Sequence, residues 1–133
     1  MQTLSIATPS RTALIDITAQ VQQAIPAHLA AGLCHLFVPH TTAGLTINEN
    51  ADPDVKLDIL AALDRLVPAR GDYAHSEGNG PAHIKASLMG ASLLIPIRDG
   101  RLVLGTWQGI LFCEFDGPRQ RSLIVNILPS AQP

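Results

Sequence analysis

Alternation of apolar and polar positions predicts two strands at the start of the chain, over residues 3–8 and 12–17. Pro9-Ser10-Arg11 lies between them and favours a turn, so we expect an opening hairpin. A run that is apolar on both sides, apart from one histidine, covers residues 33–38. Such a run is typical of a strand buried on both faces, and it predicts a central strand of a sheet.

Between these segments, helical spacing of apolar residues predicts a first helix over about 19–31. Thr18 is placed to act as its N-cap and Gly32 as its stop. Pro26 lies inside the segment and is expected to kink or split the helix, because proline lacks the backbone N–H and clashes with the preceding turn.

Two more helices are predicted in the middle of the chain. The first covers 53–66, where Asp52 caps the helix and Pro53 occupies the first helical position without loss of a hydrogen bond. The second begins at Pro81 and ends at about residue 90. The intervening residues 67–80 show no periodicity, and long irregular segments of this kind are usually functional or mobile.

The last part of the chain has the pattern of four strands, at 92–97, 101–106, 110–115 and 121–128. Asp99-Gly100 separates the first two and suits a two-residue type I′ hairpin turn. We expect the four strands to form a meander. The element order is neither a regular βαβ alternation nor all-β, so the predicted class is α+β, with antiparallel or mixed sheets packed against two to three helices.

Length and composition restrict the class of protein further. The 133 residues match one domain of common size, so we treat 1–133 as a single domain. A hydrophobic share of 47% with only 15% charged residues predicts an oligomer, because a monomer would expose much apolar surface. The net charge of -2 and the scattered basic residues do not suggest a nucleic-acid partner. Neither a signal peptide nor a membrane span is recognisable, so we expect a cytoplasmic protein with no membrane partner.

The segment 39–54 carries more chemistry than a connection needs. His40 and two threonines follow the third strand, and amides and carboxylates then precede the second helix. Neither a helix nor a strand pattern explains Glu49 between Asn48 and Asn50. We keep His40 and Glu49 as candidates for a catalytic or metal-binding role, beside the simpler interpretation that the two amides are turn residues bonded to their own backbone.

The stretch before the third helix also carries polar groups. Gly78-Asn79-Gly80 leads into a helix N-terminus, where free N–H groups and the helix dipole favour an anion such as phosphate, and Lys85 is expected within about a turn of that end. His75 and His83 are candidates to join His40 in a three-histidine metal site with an open fourth position. A helix start without any ligand is the more common outcome for such a stretch.

The C-terminal part adds an aromatic and a charged group. Trp107 is either a core or interface anchor or part of a ligand slot, and Gln108 beside it offers an amide that can read the edge of a heterocycle. Arg119 and Arg121 are placed to meet an anionic substrate if the preceding turn points toward the site. Glu114 alternates with apolar neighbours, and an inward-facing carboxylate needs a partner or a metal.

Three motifs follow one another along the chain. They are His40-Thr41-Thr42-Ala43 with Leu45-Thr46-Ile47-Asn48-Glu49-Asn50 and Asp52-Pro53; Ala82-His83-Ile84-Lys85 with Gly90; and Gly105-Thr106-Trp107-Gln108-Gly109-Ile110 with Glu114. Together they resemble the YjbQ family of small bacterial and archaeal proteins, nearly from end to end. The resemblance implies an α+β fold with sheets packed around a few helices, assembly as a homotrimer, and activity as a secondary thiamine-phosphate synthase.

That activity would join a pyrimidine methyl pyrophosphate to a thiazole phosphate and release pyrophosphate. Such a reaction needs cationic or Mg²⁺ stabilisation of the leaving group and a slot for the two rings. The residues that match this requirement as catalytic groups are His40, Glu49 and His83. The predicted substrate-binding residues are Thr41, Asn48, Asn50, Lys85, Trp107, Gln108 and Arg119. A divalent metal, Mg²⁺ or Zn²⁺, is a candidate cofactor, with His40, His75 and His83 as candidate ligands.

Two other functions remain open at this point. One is a metal-dependent hydrolase of a phosphorylated small molecule that uses the three histidines. The other is a non-catalytic trimer that binds a small anionic ligand, in which the polar segments form subunit contacts. All three hypotheses share a phosphorylated or anionic small molecule as the ligand.

Overall fold

The fold, taken from a computed structural model that describes residues 1–131, contains eight strands and three helices within those residues. In chain order they are β1 (Gln2–Ala7), β2 (Ala13–Asp16), α1 (Thr18–Gln23), β3 (Ala31–Phe37), β4 (Ala43–Glu49), α2 (Pro53–Leu66), α3 (Gly80–Met89), β5 (Ser92–Arg98), β6 (Arg101–Leu102), β7 (Gln108–Glu114) and β8 (Gln120–Pro129). None of the three helices is both long and apolar enough to cross a membrane.

The strands form two antiparallel sheets, of which the larger has the order β1-β8-β3-β5-β6 and the smaller β2-β7-β4. The predicted α+β class is therefore confirmed. Strand β3 lies between β8 and β5, which confirms its predicted central position. The two antiparallel sheets share no hydrogen-bonded strand pair, so side-chain packing must hold them together.

The central strand of the smaller sheet is buried on both faces. One face of β7 presents Ile110 and Phe112 to the main core, where they pack with residues of the larger sheet such as Leu36. The other face presents Leu111 to a second core formed with Leu63 of α2 and neighbouring alanines of α3. The molecule thus has three layers, the larger sheet, the smaller sheet and the helices α2 and α3.

Two predictions about strand pairing are wrong. β1 and β2 do not form an opening hairpin, because β1 pairs with β8 and β2 pairs with β7 of the other sheet. The final strands do not form a meander either, since only β5 and β6 pair with each other and β7 belongs to the smaller sheet. The turn between β5 and β6 is as predicted, with positive φ at Asp99 (53°) and Gly100 (74°), as a type I′ turn requires.

The first helix is shorter than predicted. It ends at Gln23, before Pro26, and its N-cap is Ile17 rather than Thr18. Gly32 does not stop a helix but lies inside β3, where a Cβ would approach the carbonyl oxygen of Leu128 to 2.5 Å. The spacing of apolar residues predicted a longer helix because Ile25 is buried, but the segment that holds Ile25 after the helix is not helical.

The other two helices are confirmed within a residue or two. Asp52 caps α2, since its carboxylate accepts a hydrogen bond from the backbone N–H of Asp54 at 2.9 Å. The irregular segment between α2 and α3 contains neither helix nor strand, as expected. Within the polar segment 39–54, Ala43–Glu49 forms strand β4 along the smaller sheet.

Candidate functional site

Three segments converge around a cleft of about 540 Å³. They are residues 39–42 after β3, the end of the irregular segment with the first turn of α3, and the turn between β7 and β8 with the start of β8. The fold brings these distant stretches together because β3 and β8 are neighbours in the larger sheet and α3 packs against β4. Of the predicted site residues, the cleft brings together His40, Thr41, His75, His83 and Arg119.

His40 lies at one wall of the cleft in a defined orientation. The pairing of β3 with β8 ends at Phe37 opposite Ile124, and Ser122 lies two residues beyond that pair. The backbone N–H of Ser122 donates to Nε2 of His40 at 2.9 Å, so the imidazole takes the place that a strand carbonyl would otherwise fill. Because Nε2 accepts this bond, the proton of the neutral ring resides on Nδ1.

His40 is kept neutral by its surroundings. Burial lowers the pKa of His40 below its ordinary value, and the positive charge of Arg121 lowers it further, while Glu114 acts in the opposite direction. A neutral ring whose Nε2 is engaged can serve the cleft as a hydrogen-bond donor through Nδ1. It is poorly suited to bind a metal, since either nitrogen would have to give up its present proton or partner.

Glu114 and Arg121 form a buried ion pair beneath the cleft. Glu114 is 0% exposed and Arg121 4% exposed. The guanidinium reaches both carboxylate oxygens, from Nε to Oε1 at 2.9 Å and from Nη2 to Oε2 at 2.5 Å. The hydroxyl of Thr8 and the backbone N–H of Asp116 donate the two remaining hydrogen bonds to the carboxylate, at 2.7 and 2.9 Å. The inward-facing carboxylate noted in the sequence therefore has a protein partner.

The hydrogen bonds to Glu114 decide its protonation state. Burial raises the pKa of the Glu114 carboxyl, but the bonds from Arg121, Asp116 and Thr8 outweigh this effect, and the pKa lies below its ordinary value. The pair is thus ionised on both sides at neutral pH. Nη2 of Arg121 also donates to the hydroxyl of Thr42 at 2.8 Å.

One nitrogen of this guanidinium remains available. Nε and Nη2 of Arg121 are held by Glu114 and Thr42, and among residues 1–131 no hydrogen bond involves Nη1. Arg121 lines the cleft, so Nη1 is the part of the side chain that can serve a ligand. Ser122, which orients His40, follows Arg121 directly along β8. The start of β8 therefore fixes the spacing between the guanidinium of Arg121 and the imidazole of His40.

Arg119 and Asp116 form the outer rim. Nε of Arg119 donates to the backbone carbonyl of Asp116 at 2.8 Å, and its Nη2 lies 3.1 Å from a carboxylate oxygen of the same residue. Nδ2 of Asn79 donates to that carboxylate at 3.0 Å, while its own Oδ1 is buried without a hydrogen-bond partner in the described chain. The turn between β7 and β8 thus borders the cleft, which is the condition under which Arg119 and Arg121 were expected to meet an anionic ligand.

His75 and His83 form the opposite wall. Their rings meet edge to face with centroids 5.1 Å apart, and Glu77 lies 3.7 Å from Nε2 of His75 at an exposed position. The three histidines predicted as metal ligands, His40, His75 and His83, thus share one cleft. Within residues 1–131, no group of three or more His, Cys, Asp or Glu side chains converges closely enough to hold a metal ion. The three-histidine metal site stays a prediction.

The charges of the cleft are nearly balanced. Two arginines are matched by Glu114 and Asp116, and Glu77 stands at the exposed edge. The cleft therefore differs from a basic groove that attracts any polyanion. Its distinguishing feature is a pair of directed donors, the imidazole of His40, which follows β3, and the guanidinium of Arg121 on β8.

Strand β4 separates a second group of predicted residues from the cleft. Seven residues at about 3.3 Å each carry the chain some 20 Å from Ala43 to Glu49. At that far end Glu49 pairs with Gln108, and the backbone N–H of Asn50 donates to the carbonyl of Trp107 at 2.9 Å. The predicted residues that this chain does not bring to its cleft are Asn48, Glu49, Asn50, Trp107 and Gln108.

Local contacts explain the positions of Asn50 and Gln108 in that far group. The side chain of Asn50 covers Gly109, where a Cβ would lie 2.6 Å from the Asn50 Cβ. Oε1 of Gln108 accepts from the backbone N–H of Gly105 at 2.7 Å. Trp107 is 63% exposed, so it is not a core anchor of this chain.

Lys85 also lies elsewhere. It is 2% exposed, its Nζ is 2.5 Å from a carboxylate oxygen of Asp64 on α2, and it lies 6.0 Å from the ring centre of Phe115. The predicted role of Lys85 at the anion-binding end of α3 does not fit this geometry, because the side chain points to the opposite helix. The helical spacing indicated its proximity to the helix start but not the side of the helix it occupies.

Sequence reasoning missed Asn79 and Asp116 as neighbours of the site and gave Thr42 no separate role. Thr42 and Asp116 both contact the Glu114–Arg121 pair. An available signal was the spacing of Glu114 and Arg121, a carboxylate and a guanidinium seven residues apart across a turn between two strands.

The chain is similar to a group of proteins whose family description gives no activity. The model of the family described as "UPF0047 protein YjbQ-like" matches residues 2–130. A UPF0047 protein of Methanocaldococcus jannaschii, MJ1081, is 52% identical over 124 residues, covering 92% of this chain and 90% of that protein. The UPF0047 protein YugU of Bacillus subtilis is 48% identical over 130 residues, covering 96% and 98%.

Solved structures extend the similarity to the whole fold. The crystal structure of an uncharacterized conserved protein of the YjbQ/UPF0047 family from Clostridium acetobutylicum has a TM-score of 0.93 and 54% identity, covering 96% of this chain and 100% of that one. A hypothetical protein from Aeropyrum pernix, 36% identical, has a TM-score of 0.91 with coverage of 97% and 98%. The described layers and strand order are thus those of an experimentally observed fold.

Proposed function

Because the chain belongs to the YjbQ-like UPF0047 family, and because its cleft collects directed donors, we propose that the cleft binds the phosphate group of a small phosphorylated molecule. The observation that carries this proposal is the buried Glu114–Arg121 pair, which holds a guanidinium rigidly with one nitrogen free at the cleft. An arginine held in this way meets phosphate oxygens without loss of side-chain freedom on binding.

We further propose thiamine-phosphate synthase activity as the reaction to assay. Release of pyrophosphate is accelerated by donors that meet the developing negative charge, and His40, Arg119 and Arg121 are the groups of this cleft suited to that task. His83, in the first turn of α3, is the candidate to orient the reacting group. Mg²⁺ carried by the pyrophosphate would supply additional charge neutralisation.

Binding of inorganic pyrophosphate, measured by titration calorimetry, tests the anion site directly. Arg119→Gln should weaken binding several-fold, since the side chain is half-exposed and its contribution is screened by water. Arg101→Gln is the matched control, because Arg101 is an exposed arginine on β6 that does not line the cleft. Equal losses in both variants would show that only general charge is being measured, and the proposed site would be withdrawn.

Turnover is tested separately with the two synthase substrates and added Mg²⁺. We expect His83→Ala to abolish formation of thiamine phosphate while the protein stays folded. Full turnover in that variant would remove His83 from the mechanism. Binding of pyrophosphate without any turnover would favour the third hypothesis, an anion-binding protein that catalyses no reaction.

A metal-dependent hydrolase remains the second candidate for one reason. His75, His83 and Glu77 lie close together on the same wall of the cleft, and a small movement of the exposed Glu77 would bring two imidazoles and a carboxylate together. Elemental analysis of chelator-free protein and of His40→Ala and His83→Ala decides this. Near-stoichiometric zinc that is lost on substitution would favour the hydrolase, whereas metal content that does not depend on these histidines would exclude them as ligands.

We also propose that the chain forms a homotrimer through the outer face of the larger sheet. That face exposes Leu33 (40%), Phe37 (39%), Leu94 (64%) and Leu128 (48%), an apolar surface larger than a monomer normally presents to water. Sedimentation should show Leu94→Lys dissociating the assembly, while Leu66→Lys, at an exposed position at the end of α2, leaves it intact. A monomeric wild-type protein would refute this proposal. A cytoplasmic location and the absence of nucleic-acid partners remain predictions.

A further inference from the structure

A second cavity of about 370 Å³ adjoins the cleft and has a different character. Its lining is mostly apolar, and we call the part formed by Tyr73, Ala74 and Ile84 the apolar shelf. His75 and His83 line both the cleft and this cavity, so the two rings form a wall shared by a polar and an apolar compartment. A ligand bound at this wall can reach both.

The apolar shelf is already formed by local packing. Tyr73 folds back on its own segment, with its N–H donating to the carbonyl of Gly71 at 3.0 Å and its hydroxyl donating to the carbonyl of Pro68. Its side chain lies against Gly80 at the start of α3, where a Cβ would come within 3.0 Å of the Tyr73 side chain. Glycine at this position therefore permits the ring to rest on the helix start.

The exposure of Ile84 is the second observation. It is 42% exposed although it follows His83 directly on the first turns of α3 and is flanked by the buried Lys85. The core of the chain does not use this side chain, and its position beside the shared histidine wall gives it continuity with the anion cleft. An apolar group of a ligand would cover it.

We propose that the ligand is a phosphate ester with an uncharged planar ring, its phosphate in the cleft and its ring on the apolar shelf. This inference rests on the proposed function, because it extends the same site. The cleft of about 540 Å³ exceeds what a phosphate group fills, and the adjoining cavity adds about 370 Å³ of mostly apolar space for the rest of the ligand. The edge-to-face histidine pair and Tyr73 offer the ring aromatic contacts.

The test compares two probes of the same charge, methyl phosphate and phenyl phosphate, by titration calorimetry at fixed pH and salt. Covering an apolar area of roughly 60 Å² by the ring corresponds to about a tenfold tighter binding of phenyl phosphate. Ile84→Ser should remove this preference while methyl phosphate binds as before. Leu88→Ser is the matched control, since Leu88 is one turn further along α3, is 59% exposed and does not line the cavity.

The outcomes separate the two proposals. Binding of neither probe would overturn the anion site, and the shelf with it. Equal binding of both probes would overturn the shelf and leave the anion site standing. A preference for phenyl phosphate that survives in Ile84→Ser and in Tyr73→Ser would place the ring elsewhere. Dissociation of the oligomer by Ile84→Ser would make the apolar shelf a subunit contact. Either result overturns the inference.

Discussion

Replacing the buried pair Glu114–Arg121 by apolar side chains separates its role in the cleft from its role in the fold. In the single variant Arg121→Met, the carboxylate of Glu114 stays 0% exposed and loses its only cation. Breaking a buried ion pair in this way typically costs about 3–5 kcal/mol. With an unfolding entropy of about 2.1 cal/mol/K per residue, a chain of 133 residues should lose about 11–18 °C in melting temperature.

The double variant Glu114→Leu with Arg121→Met should be far less destabilised. Removing both charges avoids their desolvation, which in other proteins makes such replacements neutral or stabilising by about 1–4 kcal/mol. Two groups lose a partner, the N–H of Asp116, which donates to Glu114, and the hydroxyl oxygen of Thr42, which accepts from Arg121, at a cost of about 1–3 kcal/mol each if no water reaches them. The hydroxyl of Thr8 keeps its bonds to the Arg119 backbone. At their midpoints the opposing terms leave a net loss of about 1.5 kcal/mol, which corresponds to about 5 °C in melting temperature.

Ligand binding should not recover with stability. If Nη1 of Arg121 holds a phosphate oxygen, its loss removes a charged hydrogen bond of about 1.5–3 kcal/mol, which weakens pyrophosphate binding about 10- to 150-fold in both variants. The assay pairs thermal unfolding with calorimetric titration of pyrophosphate. Lys85→Met is the control, because it removes another buried cation that lies outside the cleft and should reduce stability but not binding.

The refuting result is a folded double variant that binds pyrophosphate with wild-type affinity. It would show that the pair serves the fold alone and that the anion site lies elsewhere.

Three further predictions concern the same elements. The depressed pKa of Glu114 means that its contribution to stability is complete above pH 4.5 and is lost as the pH falls through the lower folded-state pKa. Urea unfolding at decreasing pH should show this loss in the wild type. An equal fall of the free energy of unfolding with pH in the double variant would contradict it. His40→Asn should lower the free energy of unfolding by about 1–3 kcal/mol because the Ser122 N–H loses its acceptor. His40→Gln should lower it less, since the amide oxygen of Gln can reach that N–H. Equal losses in the two variants would speak against the hydrogen bond. Asp52→Ala should cost about 1 kcal/mol by loss of the α2 cap, and Asp52→Asn much less, as thermal unfolding will show.

The elements with strong local signals were predictable from the sequence. Helix α2 combines a capping aspartate, proline at the first position and an apolar face, and its bounds agree with the structure. The Asp99-Gly100 turn requires positive φ at both residues, and few residue pairs supply that readily. In each case the residues that determine the element lie within it, so no tertiary information is needed.

Strand pairing and the bounds of β4 were beyond local reasoning. β4 is an edge strand of the smaller sheet whose last residues, Asn48 and Glu49, are polar and partly exposed, so they resemble a connection. β1 and β2 follow each other closely, yet their partners β8 and β7 lie about a hundred residues further along the chain. Pairing over such distances depends on how whole faces pack, and adjacency in sequence is a weak guide to it.

The same cause divided the candidate site. His40 and Glu49 belong to one polar segment of the sequence, but strand β4 separates them along its length, so only His40 lines the cleft. His40, His75, His83 and Arg119 do line one cleft, because the end of β3, the start of α3 and the turn before β8 lie together in the fold. Lys85 failed since helical spacing gave its height along α3 but not its partner Asp64.

The two halves of the proposed site differ in how firmly they are held. Arg121 stands at the start of β8, and the next residue, Ser122, orients His40 through its backbone N–H. The guanidinium of Arg121 and the imidazole of His40 therefore cannot move apart without disturbing the larger sheet. The apolar shelf rests instead on Tyr73, in a segment without helix or strand that is anchored mainly by its own hydrogen bonds. A receptor built in this way should hold phosphate in one fixed position and adapt to the ring. Substitutions in the irregular segment between α2 and α3 would therefore change which phosphate esters bind, whereas substitutions at the start of β8 would change whether any binds.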